Sequence, residues 1–152
     1  MAISAIHTRR TIRAYDPNYK IPEGILREIL NAGQAAPTAR NEQYIDCKVI
    51  TDVKRINEIS QACMKTWPGK AAAGRAKSLA SYNLKDPLTC DASSVFFLYK
   101  APHASGNYVS FDAGIYCQNI CLAAKELGLD SMILGMYTYG KKAVVEEMLG
   151  IP

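Results

Sequence analysis

The sequence predicts an α+β layered domain with few strands, and three observations carry that prediction. Apolar residues recur at helical spacing in several long stretches, whereas only three short runs read as strands. The elements follow as helix, helix, strand, helix, loop, strand, long helix, strand, helix, with too few strands to complete a sheet within one chain. The 152 residues, 49% of them hydrophobic, suffice to bury one core and are too few for two comfortable domains. One domain over 1–152 is therefore expected.

Ala2–Arg10 reads as a short opening helix, followed through Tyr15, Asp16, Pro17 and Asn18 by turn-forming residues. Pro22 stands at a helix-starting position with Glu23 in the first turn. Ile25, Leu26, Ile29 and Leu30 then repeat at helical spacing, so a helix is expected from Pro22 to near Ala35. Lys48–Thr51 reads as a short strand, and Asp52 is placed to cap a helix carrying Ile56, Ile59 and Met64. From Thr66 to Cys90 the residues are small, basic and turn-rich, punctuated by Trp67, Pro68, Gly69, Gly74 and Pro87, and a mobile helix-and-loop excursion is expected.

Ser94–Tyr99, β-branched and aromatic, is expected as a buried strand. After a turn at Pro102–Asn107 comes the longest helix, Tyr108–Leu127, closed by Gly128 in a left-handed conformation. Its apolar residues, Val109, Phe111, Ile115, Ile120, Leu122, Ala123 and Leu127 among them, run round most of its circumference. Such a helix must be covered on nearly all faces, and in so small a domain a partner subunit is the expected cover. Ser131–Met136 is expected as the last strand and Lys141–Leu149 as the last helix.

Composition narrows the function classes. The formal net charge of +4 suits an anionic ligand, but nucleic-acid binding would need aromatics interleaved with the arginines, and only Tyr15 lies near them. No apolar run reaches the length of a membrane span, and Met1–Arg10 lacks the pattern of a signal peptide, so a cytoplasmic protein is expected. Five cysteines, Cys47, Cys63, Cys90, Cys117 and Cys121, are odd in number and sit inside apolar helix or strand patterns, as reduced cysteines do; no disulfide framework and no metal site is expected. No glycine-rich GxGxxG turn follows a strand, so a Rossmann dinucleotide unit is not indicated.

Three constellations could carry chemistry. Arg9, Arg10, Thr11 and Arg13 crowd three guanidiniums into five residues, which an anion such as phosphate would neutralise; the bland reading is a solvated basic helix end, favoured there by the helix dipole. Ala36–Gln43 is a polar loop of small residues leaving a helix and entering a strand, whose small side chains would let the backbone approach a flat ligand and whose Asn41 and Gln43 could hydrogen-bond it; it could equally be an ordinary connection. In Asp112–Gly135, the glycine just past Ile133 and Leu134 could present its N–H where a side chain would block approach. No Ser/His/Asp or Cys/His arrangement has supporting context, and His103 reads as an exposed turn residue.

In order, RRTIRAYD at 9–16, APTARNEQ at 36–43 and FDAGIYCQNICLAAKELGLDSMILG at 111–135 resemble the RRSxRxF/Y, APSxxNxQ and DxGxxxQNxxLxAxxxGLxSxxxG motifs of the nitroreductase family, over about Ile6–Pro152. The resemblance implies a layered α/β/α fold with a central, mainly antiparallel sheet, completed by homodimerisation, with FMN held at the interface. Arg9, Arg10, Thr11 and Arg13 would hold its phosphate, ribityl chain and pyrimidine edge; Pro37, Thr38, Ala39 and Asn41 would reach it from the other subunit. Ile133, Leu134 and Gly135 would run past the ring, with the Gly135 N–H facing N5. NADH or NADPH would give hydride to the flavin, and a small acceptor such as a nitroaromatic or quinone would take it. No catalytic side chain is implied.

Two departures qualify that picture. Tyr44 and Ile45 stand where the family has a Pro-aromatic pair, and the family continues beyond the LGIP at 149–152 with a strand, a basic residue near the phosphate and a partner-embracing tail. Weaker FMN binding is the expected consequence. The alternative is a homodimeric scaffold that binds flavin weakly or not at all and has lost turnover. The segment 66–90 would form the lid that decides the acceptor.

Overall fold

The computed structural model describes residues 2–79 and 82–151. In chain order the elements are α1 (Ala2–Thr8), α2 (Glu23–Gln34), β1 (Ile45–Ile50), α3 (Val53–Lys65), α4 (Gly69–Leu79), β2 (Val95–Lys100), α5 (Val109–Glu126) and α6 (Lys142–Leu149). β1 and β2 pair as a small antiparallel sheet. The chain divides into two compact units: the chain up to Ile12 with Ile21–Lys48 and Phe96–Ile133, and Arg13–Lys20 with Val49–Val95 and the chain from Leu134.

The first unit is built on α2 and α5. Tyr116, Ile120 and Ala124 recur every four residues, form one stripe along α5, and bury with Ile29 and Ala36. Ile45, Cys47, Phe96 and Leu98 pack onto the same core from the strands. The helices approach closely because position 33 has no side chain: a Cβ there would lie 2.9 Å from Tyr116 Cζ and 3.0 Å from Ile120 Cγ1. Asn119 Nδ2 donates to the Ala32 carbonyl at 2.9 Å across the same contact. A smaller core of Tyr44, Ala101 and Ala104 continues the sheet, the Ala101 N–H donating to the Tyr44 carbonyl at 2.9 Å.

α5 ends as expected. Gly128 takes φ +79°, while the Gly128 and Leu129 N–H groups return to the Lys125 and Ala124 carbonyls, a Schellman closure. The all-round apolarity of this helix is only half consumed within the chain. Phe111 is 71% exposed and Ile115 40%, and on α1 Ile3 is 72% and Ile6 55% exposed.

In the second unit Asp52 caps α3 as anticipated, its carboxylate accepting the Lys54 and Arg55 N–H groups. Ile56, Ile59, Ser60 and Cys63 form the buried stripe of α3, whereas Met64 is only half-buried. The Arg55 guanidinium donates to the Met148 carbonyl at 2.6 Å, serving the open C-terminal end of α6. The Ser60 and Tyr137 hydroxyls share a hydrogen bond of 3.1 Å, and Trp67 meets Tyr139 edge-on.

Several boundaries differ from expectation. β1 begins at Ile45, because pairing starts directly after the buried Tyr44. In β2 only Val95 is fully buried. No strand forms over Ser131–Met136: Ser131 makes one parallel bridge, to Thr11, after which Gly135–Tyr139 winds into a 3₁₀ turn that Thr138 Oγ1 secures on the Gly135 carbonyl. A strand needs a continuous neighbouring edge, and here a single residue pairs. The excursion over Thr66–Cys90, of which residues 80 and 81 lie outside those described, is the expected helix and loop: α4 and then a closed turn. The Asp86 carboxylate caps that turn through Leu88 and Thr89, Asp91 returns to the Lys85 and Asp86 N–H groups, and Leu88, Thr89 and Cys90 are fully buried. Cys90 thus lies in a turn, with φ +59°, and not in a helix or strand.

Two predictions follow from the first unit's core. Gly33→Ala drives a methyl into Tyr116 and should cost about 1–3 kcal/mol, the range for overpacking; an unchanged denaturant midpoint would show that the α2–α5 contact yields readily. Burial, and then Asp46, push the Cys47 thiol up to about 12 from 9.0, and burial pushes Tyr116 up to about 12 from 10.0. An acid whose value is raised on folding stabilises fully below its unfolded value and loses that contribution as pH climbs through the folded one. Unfolding stability should therefore decline across pH 9 to 12, and Cys47→Val should flatten part of that decline. An identical slope in the variant would remove Cys47 from the account.

Candidate functional site

The arginine segment leaves α1 at Thr8. Arg10 Nη1 donates to the His7 and Arg9 carbonyls, both at 2.8 Å. Its guanidinium thus serves the C-terminal end of α1, as the bland reading of this cluster had it. Thr11 is exposed and bridges to Ser131, with the Ile12 N–H donating to the Ser131 carbonyl at 3.3 Å. Among the described residues no carboxylate stands within ion-pair distance of Arg9, Arg10 or Arg13. Among those residues nothing neutralises their positive charge. A hydrogen bond from Cys117, and then Ser131 and the charge of Arg9, hold the Cys121 thiol below the ordinary thiol range against its burial; Cys117 itself is pushed up. Arg13 lies exposed in the second unit.

The second motif hangs between two buried residues, Ala36 and Tyr44. Between them Arg40, Asn41 and Gln43 take φ of 54°, 58° and 50°, a left-handed backbone that side chains resist. Besides the backbone bonds from the Asn41 N–H to the Thr38 carbonyl and from the Glu42 N–H to the Ala39 carbonyl, both at 3.1 Å, side-chain hydrogen bonds brace it. Thr38 Oγ1 accepts the Gln43 N–H at 3.1 Å, Asp112 Oδ1 accepts the Ala39 N–H at 3.4 Å, His103 Nε2 bonds the Glu42 carbonyl at 2.8 Å, and Arg40 reaches the Tyr44 hydroxyl at 3.5 Å. That hydroxyl, and then Glu42, raise the Arg40 guanidinium above its ordinary value. Pro37 and Asn41 are exposed, while Thr38 and Ala39 are half-buried.

The third motif runs along α5 and past it. Asn119 is occupied in helix packing through Ala32, and Gln118 is exposed. Ile133 is 62% exposed. Leu134 is half-buried and Gly135 exposed; a Cβ on Gly135 would meet nothing within 4 Å, and its φ is not left-handed. Neither packing nor backbone conformation within the chain demands glycine there.

The first unit therefore ties the three motifs together: Thr11 to Ser131, Ala39 to Asp112 and Asn119 to Ala32. Arg13, Leu134 and Gly135 belong to the second unit. Sequence reasoning assigned no role to Asp112, and it left His103, which is exposed, without the Glu42 bond it makes. A signal for Asp112 was present: it stands four residues before Tyr116, a carboxylate on the buried stripe of α5.

The Nitroreductase family model matches residues 6–152. A candidate NADH dehydrogenase/NAD(P)H nitroreductase of Archaeoglobus fulgidus is 31% identical over 153 aligned positions, which span 99% of this chain and 76% of the relative. Among solved structures, a nitroreductase with bound FMN from Bacteroides fragilis superposes with TM-score 0.81 at 22% identity, covering 99% of this chain and 80% of that one. An FMN-dependent nitroreductase of Clostridium difficile gives TM-score 0.65 at 26% identity; the match covers 86% of this chain but 58% of that longer one. The fold and the three linked motifs agree with these matches, and the chain belongs to the nitroreductase family.

Proposed function

We propose that this chain is an FMN-dependent oxidoreductase that takes hydride from NADH or NADPH and passes it to a small acceptor such as a nitroaromatic or quinone. The observation that carries the reading is that the first unit ties part of each motif to another, Thr11 to Ser131 and Ala39 to Asp112, with guanidiniums that meet no carboxylate among the described residues beside an exposed hydroxyl at Thr11. That donor set fits a phosphate monoester. The open position at Gly135 fits close approach of a ring edge to the backbone.

In this reading Arg9 and Thr11 grip the phosphate, helped by whatever donor capacity Arg10 retains beyond α1. Pro37, Thr38, Ala39 and Asn41 reach the flavin of the other subunit as a shaped, polar rim, and Ile133 offers an apolar surface beside the ring. Arg13, Leu134 and Gly135 complete the set that the sequence points to. Bound FMN would supply the hydride chemistry; the chain's own residues bind, orient and exclude water, and none moves a proton. The exposed apolar side chains on α1 and α5 favour a homodimer, because isolated helices do not keep large apolar residues such as Phe111 in water without cost.

The test is an absorbance spectrum of the protein purified with FMN, before and after anaerobic NADH or NADPH. Flavin bands that co-elute with the protein and bleach support the reading; no retained flavin favours the turnover-free scaffold. Arg9→Ala should weaken FMN binding by about 10- to 100-fold, the loss of a charge-assisted contact worth about 1.5–3 kcal/mol. Phe111→Glu should shift the mass measured by light scattering from dimer to monomer. A wild-type chain that is already monomeric would defeat the homodimer proposal.

A further inference from the structure

The carboxylate of Asp112 is the least expected group in the first unit. It is 3% exposed, in the first turn of α5, on the stripe otherwise held by Tyr116, Ile120 and Ala124. One oxygen accepts the Ala39 N–H at 3.4 Å; the other, Oδ2, is buried with no partner among the described residues. Burying a carboxylate with an unsatisfied oxygen is costly, and an apolar residue would suit the stripe better. The N-terminal end of α5, whose dipole favours negative charge, offsets part of that cost.

The position of its one bond is informative. Ala39 immediately precedes the left-handed pair Arg40 and Asn41. Fixing the Ala39 N–H fixes where the strained turn begins, just as Thr38 Oγ1 on the Gln43 N–H fixes where it ends. The Thr38 contact is local to the loop. Asp112 is 73 residues away in sequence and roots the turn in the core helix.

We infer that Asp112 is a positioning residue, whose buried carboxylate holds the Ala39–Gln43 turn in the shape that meets the bound flavin. The flavin half of this inference rests on the function proposed above. The turn-holding half does not.

Both halves are tested on the full chain with Asp112→Leu and Asp112→Asn. Leucine keeps a similar volume, suits the apolar stripe and removes the acceptor; asparagine keeps an acceptor oxygen and removes the charge. Amide hydrogen exchange over Ala39–Gln43 should accelerate at least about tenfold in D112L and stay near wild type in D112N. FMN titrated by fluorescence quenching should bind D112L at least about tenfold more weakly, with altered visible circular dichroism of the bound flavin, and D112N within about threefold. D112L should nevertheless melt at or above the wild-type temperature, a split that a residue serving stability alone would not give. Unchanged exchange in D112L overturns the inference, as does equal loss in the two variants, which would make the charge and not the acceptor decisive. Altered exchange with unaltered FMN affinity overturns the flavin half. A wild-type chain that binds no FMN refutes the proposed function instead, and the exchange data still decide whether Asp112 holds the turn.

Discussion

The close contact of α2 with α5, made possible at Gly33, is the constraint on which the rest of the first unit depends. It sets the Tyr116–Ile120–Ala124 stripe against Ile29 and Ala36, and the strands bring Cys47, Phe96 and Leu98 onto the same apolar surface. Two of the three family motifs are extensions of these helices. The loop at 36–43 leaves the C-terminal end of α2, and the third motif is α5 with the chain that follows it. Their spacing is therefore inherited from helix packing, and what remains for the polar groups is fine adjustment.

That adjustment uses few bonds. Thr11 is set against Ser131 by a single bridge, and the 36–43 loop is tied to α5 through Asp112 and to the turn after β2 through His103. Each tie joins residues far apart in sequence, so each carries a loop-closure cost that the helix packing has already met. Most side chains of the candidate site are left exposed or half-exposed, as a surface that contacts a ligand or a second subunit requires.

Much of the fold was legible because it rests on local rules. The Asp52 cap, the Pro22 start of α2, the Gly128 closure of α5 and the periodicity of α2 and α6 depend on neighbours within a few residues. The errors lie where partners decide. Ser131–Met136 has the composition of a strand, but a strand exists only if another chain segment pairs along it, and only Thr11 does so. The turn at 86–91 was legible as turn-rich and not as ordered, because its order comes from two aspartates folding back on nearby backbone, a pattern that no hydrophobic period reveals. The site was legible as motifs and not as geometry: the sequence showed the arginines, but not that Arg10 turns back to the end of its own helix.

The 36–43 turn keeps its shape through backbone groups, the Thr38 and His103 side chains and the buried residues Ala36, Tyr44 and Asp112, while the Asn41 and Gln43 side chains stand exposed on an unusual backbone. Shape and surface chemistry are thereby decoupled at this rim. Residues that accept a left-handed backbone, asparagine, aspartate and glycine above all, are interchangeable there without disturbing what lies beneath. The side chains at this rim can thus change while the framework beneath them stays unaltered.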